Sequence, residues 1–396
     1  MINRIEYLEE LISFKDKKLI KIITGIRRCG KSTLLDLYKN YLLKNDINDN
    51  QIISINFEDI DFENLLDYSK LHSYIKEKLI PNKMNYIFLD EIQNVPNFEK
   101  AVDSLYIKNN VDLYITGSNS YLLSSEHATL LSGRYVEIKM LPLSFKEYIS
   151  TFPDKSDLSN KYKNYLINSS FPYALFLNQK KDIHTYLDGI FNSVILKDVV
   201  ARKNISDVPN LTKLIKYLFD NIGNLCSTKK ISDTMTSSGN KISTHTVDNY
   251  ISGLINSFIF YKVSRYDIKG KQYLKSGDKY YAVDMGLRYY LLGSKNTDLG
   301  HILENIVYLE LLRRGNEIYI GKIDENEVDF IAINEKGKSY YQVALTVRDN
   351  AILKRELKPL NIISDHNPKY LITLDDDPPV SHNGIQQLNA LEWLLN

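Results

Sequence analysis

The sequence predicts an α/β protein: a parallel sheet with helices on both faces, followed by a helical segment and smaller mixed modules. Three observations carry that prediction. Apolar strand-like runs alternate with helical periodicity from Leu19 to Met140. A glycine-bearing loop, Gly25-Ile26-Arg27-Arg28-Cys29-Gly30-Lys31-Ser32, joins the first of these strands to a helix. The apolar run Tyr86–Leu89 then ends in two adjacent carboxylates, Asp90 and Glu91.

The elements follow in order. Ile5, Leu8, Leu11 and Ile12 lie at helical spacing and predict a short first helix. Leu19–Thr24, Gln51–Phe57, Tyr86–Leu89, Leu113–Thr116 and Tyr135–Met140 read as strands. Lys31–Leu43, Phe62–Leu79, Asn97–Lys108 and Tyr121–Leu131 read as the helices between them. Parallel strands require such crossovers, and right-handed ones place helices on both faces. The alternation ends near Pro142, and helical periodicity runs from Ser144 to about Val200. Two helices, Ser227–Met235 and Ser243–Ser257, flank a polar turn, and Phe258–Tyr281 alternates as a two-stranded ribbon. The last region reads as a helix at about 300–313, strands at 316–320, 327–333 and 339–347, a helix near 350–363 and a strand at 369–374. Ile385–Leu395 has the periodicity of a closing helix. The expected domains are 1–142, 143–205, 206–292 and 293–396.

Composition narrows the function classes. A chain of 396 residues exceeds one hydrophobic core. Fifty basic side chains against 49 acidic ones confine any nucleic-acid surface to a local patch. The sequence has no signal-peptide pattern and no apolar run of about 18 residues, so no membrane contact is expected. The two cysteines, Cys29 and Cys226, lie outside any metal-ligand spacing and fit a reducing cytoplasm.

The loop at 25–32 has the spacing of a phosphate-binding P-loop in the context that motif needs. Gly25 and Gly30 permit a tight turn, and the backbone N–H groups from Gly25 through Ile26, Arg27, Arg28, Cys29 and Gly30 to Thr33 can cradle phosphates at a helix start. Lys31 would neutralise the terminal phosphates of ATP, and Ser32 would offer its hydroxyl to Mg²⁺. Asp90, at the carboxyl edge of a buried strand, would hold Mg²⁺, and Glu91 would activate the attacking water. Ser118 and Asn119 end the next strand, where two readings stand: a bond to the terminal phosphate or its water, or a cap on the following helix.

The order of Gly25–Ser32, Asp90-Glu91, Ser118-Asn119 and Arg134 resembles an AAA+ ATPase module. That resemblance implies ATP rather than GTP. It makes Arg134 a candidate arginine finger, reaching a neighbouring subunit's nucleotide in a homo-oligomer; the alternative is a salt-bridged surface arginine. Leu131–Arg134, Leu141–Tyr148, Asp284–Arg288, Glu304–Val307 and Leu391–Leu395 resemble signatures of one bacterial and archaeal group of such ATPases, which carries a C-terminal domain of unknown function. The Gly-Gly-Phe-Pro motif of that group stands here as Ser169-Ser170-Phe171-Pro172, which makes Pro172 a candidate contact for the adenine, against a plain helix start.

Two further resemblances concern the C-terminal half. Residues 206–292 are similar to a winged helix. Lys262, Arg265, Lys269, Lys271, Lys275 and Lys279 in its ribbon, with Tyr266 and Tyr273, suit DNA contact, while the rival role is an intramolecular lid. Residues 293–396 resemble a restriction-endonuclease-like fold, with Glu304 on a helix and Asp329 on a strand. Gln342 and Ala344 replace the acid and lysine that such nucleases use with a divalent metal, so an inactive module is expected unless Lys338 or Arg348 substitutes for the cation. The sequence therefore predicts a nucleotide-switched ATPase, against an ATPase with a live nuclease or a nucleotide-bound signalling scaffold.

Overall fold

A computed structural model describes residues 2–123, 131, 133–203, 205–273, 277–293 and 298–396. The chain divides into two compact units, one of residues 1–142 with 256–258, the other of 143–255 with 259–396.

The first unit is built on five parallel strands: β1 (Ile20–Thr24), β2 (Ile52–Asn56), β3 (Asn85–Asp90), β4 (Val111–Gly117) and β5 (Tyr135–Lys139), in the order β2-β3-β4-β1-β5. The central strands β1, β3 and β4 are buried along their whole length, as continuous apolar runs require. The edge strand β2 alternates, burying Ile53 and Ile55. Ile22, Ile87, Leu89, Leu113 and Ile115 pack with Leu71, Val102 and Leu105 from the crossover helices. The helix predicted over Phe62–Leu79 is broken: a short 3₁₀ segment, Ile60–Leu65, precedes the helix Tyr68–Lys78. Asp67 restarts it by accepting from the N–H groups of Ser69 and Lys70. The helix predicted over Tyr121–Leu131 falls mostly on residues outside those described; Ser120–Leu123 form a 3₁₀ turn.

The second unit begins with helices, among them Leu158–Asn168, Val208–Asp220, Thr228–Ser237 and Thr244–Asn256. An antiparallel pair follows, β6 (Phe260–Val263) with β9 (Lys279–Ala282). Between them β7 (Arg265–Asp267) and β8 (Gln272–Tyr273) pair with each other, and β7 also runs parallel to β10 (Glu317–Ile323). The expected two-stranded ribbon is thus split, with its tip built into a mixed eight-stranded sheet. That sheet continues through β11 (Asn326–Asn334), β12 (Gly337–Val343), β13 (Lys369–Thr373), β14 (Val380–His382) and β15 (Ile385–Asn389). The closing helix predicted over Ile385–Leu395 is half strand: β15 pairs parallel to β13, and only Ala390–Leu395 is helical, capped by Asn389. Val328, Ile331, Tyr340, Leu360 and Leu371 form the core of this sheet and the helix Asn350–Ile362.

Asp284–Arg288 is a structural clamp. Asp284 caps the helix Met285–Leu292 through the N–H of Leu287 and accepts from both the N–H and the hydroxyl of Ser170. The buried Arg288 donates to the carbonyl of Phe219 and to Asp298. Ser169 takes φ +81°, a backbone conformation natural to glycine, where the related motif has glycine. Its backbone lies so close to Gly286 that a Cβ there would sit 2.5 Å from the Ser169 Cα. Gly286→Ala is expected to destabilise the protein by about 1–3 kcal/mol, a loss that thermal or urea unfolding would register.

Candidate functional site

Every loop residue named from the sequence lies at the carboxyl edge of the parallel sheet, directly after β1. Gly25 has φ +152°, and a Cβ on it would meet the carbonyl oxygen of Met140 at 2.1 Å, so only glycine fits. Arg28 and Gly30 also take positive φ, which turns the loop tightly into the helix Lys31–Lys44. Gly30 caps that helix without a side chain, leaving the helix start to the loop's backbone. Ile26 and Cys29 are buried and anchor the loop, whereas Ser32 and Thr33 are exposed. Arg27 reaches Glu58 at 3.4 Å.

Lys31 is buried inside the loop. Its Nζ donates to the carbonyls of Gly25 (3.1 Å) and Ile26 (3.4 Å) and lies 3.4 Å from Glu91 Oε1. Asp90 ends β3 and accepts from the Thr116 hydroxyl, whose oxygen in turn accepts the Glu91 N–H at 2.9 Å. Glu91 takes φ +53°, an uncommon state for a non-glycine residue, and turns its buried side chain toward Lys31. Gln93 donates to that carboxylate, and Ser118 adds a hydrogen bond. Burial pushes the Glu91 carboxyl up, but Lys31, Gln93 and Ser118 together hold it below the ordinary glutamate value. Asn119 is buried beside Ser118 at the end of β4.

Three contributors escaped the sequence reading. Thr116 joins Asp90 to Glu91, and Gln93 holds the Glu91 carboxylate. Arg4 donates to the carbonyls of Cys29 (2.8 Å) and Leu141 (2.6 Å), bracing the loop from below. Thr116 and Gln93 flank residues already singled out, which was a usable signal. Nothing local marks Arg4, whose partners lie 25 and 137 residues away.

Arg134 stands apart. It immediately precedes β5, whose first residue pairs with Ile20 at the start of β1, so it lies at the amino edge of the sheet. The five residues of β1 separate it from the loop by about 16 Å at ~3.3 Å per residue. Its guanidinium pairs with Asp103 and lies over the Tyr106 ring, 5.6 Å from the centroid. Pro172 belongs to the second unit, where it opens the 3₁₀ segment Pro172–Phe176.

The basic ribbon is reduced. Lys279 is buried in ion pairs and unavailable to a phosphate, and Lys275 lies outside the described residues. Lys262 pairs with Asp278 and Lys269 with Asp324, while Tyr266 and Tyr273 pack against each other and Tyr319. Arg348 binds an acidic turn at Asp376 and Asp377, and Lys338 lies over the Tyr266 ring, 5.9 Å from the centroid. None of the described helices is long and apolar enough to cross a membrane.

Comparison with known proteins accords with this geometry. An AAA domain matches residues 17–149, and a domain of unknown function, DUF8612, matches residues 159–298. An uncharacterised Haemophilus influenzae protein is 41% identical over all of this chain and 99% of its own length. An uncharacterised Methanocaldococcus jannaschii protein is 34% identical over 86% of this chain and 77% of its own. Among solved structures, a Walker-type ATPase of Pyrococcus abyssi superposes with TM-score 0.50 at 13% identity, covering 74% of this chain and 96% of that one, a likeness of fold alone.

Proposed function

Since the chain belongs to the family of its Haemophilus influenzae and Methanocaldococcus jannaschii relatives and carries an AAA-type domain, we propose that it binds ATP with Mg²⁺, hydrolyses it, and uses its nucleotide state to switch the modules that follow. The observation that carries this reading is the buried Lys31–Glu91 ion pair across the loop, with Asp90 beside it.

The pair sets the order of events. The terminal phosphates of ATP carry more negative charge than one carboxylate, so they draw the Lys31 ammonium away from Glu91. Glu91 then loses a cation that lowers its pKa while its burial remains, and the carboxyl rises toward the range of a useful base. Gln93 and Ser118 keep it aimed, and Ser118 or Asn119 is proposed to hold a terminal phosphate oxygen. The exposed Ser32 hydroxyl and the Asp90 carboxylate suit a hard divalent cation, and Mg²⁺ bound there would supply charge stabilisation to the phosphate oxygens. Pro172 is proposed to contact the adenine. Release of phosphate from ATP by the wild type, absent in Lys31→Ala, tests the assignment; equal release by both would refute it.

Arg134, on the opposite edge from the loop, is suited to act only in trans. Leaving Asp103 and Tyr106 for a second copy's nucleotide would complete that copy's site. Turnover per subunit is then expected to rise with protein concentration in the wild type and to stay low and flat in Arg134→Ala. DNA contact is proposed to fall to the exposed Lys262, Lys269 and Lys271, with Lys262 and Lys269 exchanging Asp278 and Asp324 for phosphate.

A further inference from the structure

The restriction-endonuclease-like resemblance of the C-terminal region implies a divalent metal near Glu304, Asp329 and residue 342, and the side chains present there do not fit one. The centre already holds a cation from the chain itself. Lys279, on β9 and 3% exposed, places its Nζ 2.9 Å from Glu304 Oε1 and 2.8 Å from Glu327 Oε1. Asp329 is near enough to add to the attraction. The oxygens a metal would need are engaged elsewhere. The Tyr281 hydroxyl donates to Glu304 at 2.6 Å, and the other Glu304 oxygen faces His301 Nδ1 at 3.4 Å. Asp329 accepts the Val343 N–H at 2.8 Å. Gln342 accepts the Asp329 N–H at 3.4 Å and donates to Glu356 at 3.0 Å, so its amide is fixed as a bridge between neighbours. Among the described residues, no group of three or more acidic, histidine or cysteine side chains is arranged to hold a metal ion.

We propose that Lys279 is the resident cation of this centre, an internal ammonium that closes it to divalent metal and clasps β9 to β11 and the helix Leu299–Arg313. The inference extends the loss at 342 and 344. Those substitutions remove a ligand and a catalytic cation, whereas Lys279 fills the space that the remaining carboxylates would offer to a metal. A single positive charge between the buried Glu304 and Asp329 and the half-exposed Glu327 also explains why a lysine stands in β9, which is buried along its whole length. It is independent of the ATPase reading, since none of these residues belongs to the first unit.

Mn²⁺ titration of the nucleotide-free full chain, followed by electron paramagnetic resonance, tests the proposal. Wild type and Asp329→Asn are expected to bind Mn²⁺ equally weakly. Lys279→Met, checked for folding by circular dichroism, is expected to gain a Mn²⁺ site that the added Asp329→Asn change removes. A wild-type Mn²⁺ site that Asp329→Asn abolishes would overturn the proposal. So would a folded Lys279→Met that binds no more Mn²⁺ than wild type. Lys279→Gln carries the same expectations should the methionine variant not fold, and the wild-type comparison decides without either.

Discussion

Glu91→Gln is expected to lower ATP turnover by about 10²–10⁴-fold while leaving ATP binding intact or tighter. The amide keeps the shape and burial of the carboxylate, so the packing around φ +53° survives. It cannot accept the proton of an attacking water, and it no longer holds Lys31 by charge. The first effect acts on turnover and the second on binding, where loss of the ion pair frees Lys31 for phosphate. Phosphate release together with calorimetric ATP binding separates them. Unchanged turnover would remove Glu91 from the role of base. The same ion pair has an acid-side consequence. Because the folded-state carboxyl lies below its ordinary value, the pair stabilises the fold above that ordinary range and loses its contribution as pH falls through the lowered folded value. Acid unfolding of Glu91→Gln should therefore show less pH dependence in that window than the wild type.

Lys21→Met is expected to destabilise the first unit by about 3–5 kcal/mol, because it strands a buried carboxylate. Lys21 is the second residue of β1, fully buried, with its ammonium on Asp112 of β4 and on the Lys17 carbonyl at 2.8 Å. Asp112 also accepts from the Tyr114 hydroxyl and the Asp16 N–H, and Tyr38 meets Tyr114 at 2.8 Å. Removing the lysine leaves these neutral donors to hold a full charge away from water. The double change Lys21→Met with Asp112→Leu should recover most of the loss, since replacing both partners by apolar side chains is often neutral. Urea unfolding of the two variants measures both numbers. Equal stability of Lys21→Met and the wild type would show that the charge pair contributes nothing.

Much of the first unit could be read directly. The glycines at 25 and 30, the apolar run into Asp90 and Glu91, and the alternation of strands with helices are local signals, and β1, β3 and β4 fall within two residues of their predicted ends. The misreadings share a cause. Phe258–Tyr281 has the alternation of a hairpin, yet β7 finds a parallel partner in β10 more than 50 residues on. Ile385–Asn389 has apolar spacing compatible with a helix, yet pairing with β13 makes it a strand. Period alone does not identify a strand whose partner is distant. Ser169 lacks the expected glycine and still adopts its φ, held by Gly286 against its backbone and by Asp284, which binds the neighbouring Ser170.

The sequence by itself determined the phosphate loop, because backbone turn geometry and a following helix start depend on residues within one turn of each other. The tertiary structure decided the charges. Lys31 faces Glu91, Lys21 is buried on Asp112, Arg134 lies on the edge opposite the loop, and Lys279 turns inward to Glu304 and Glu327 instead of outward to a phosphate. A lysine in the sequence is only a tethered positive charge. Whether it meets solvent, a ligand or a buried acid depends on which distant strand lies beside it, and chain topology alone fixes that.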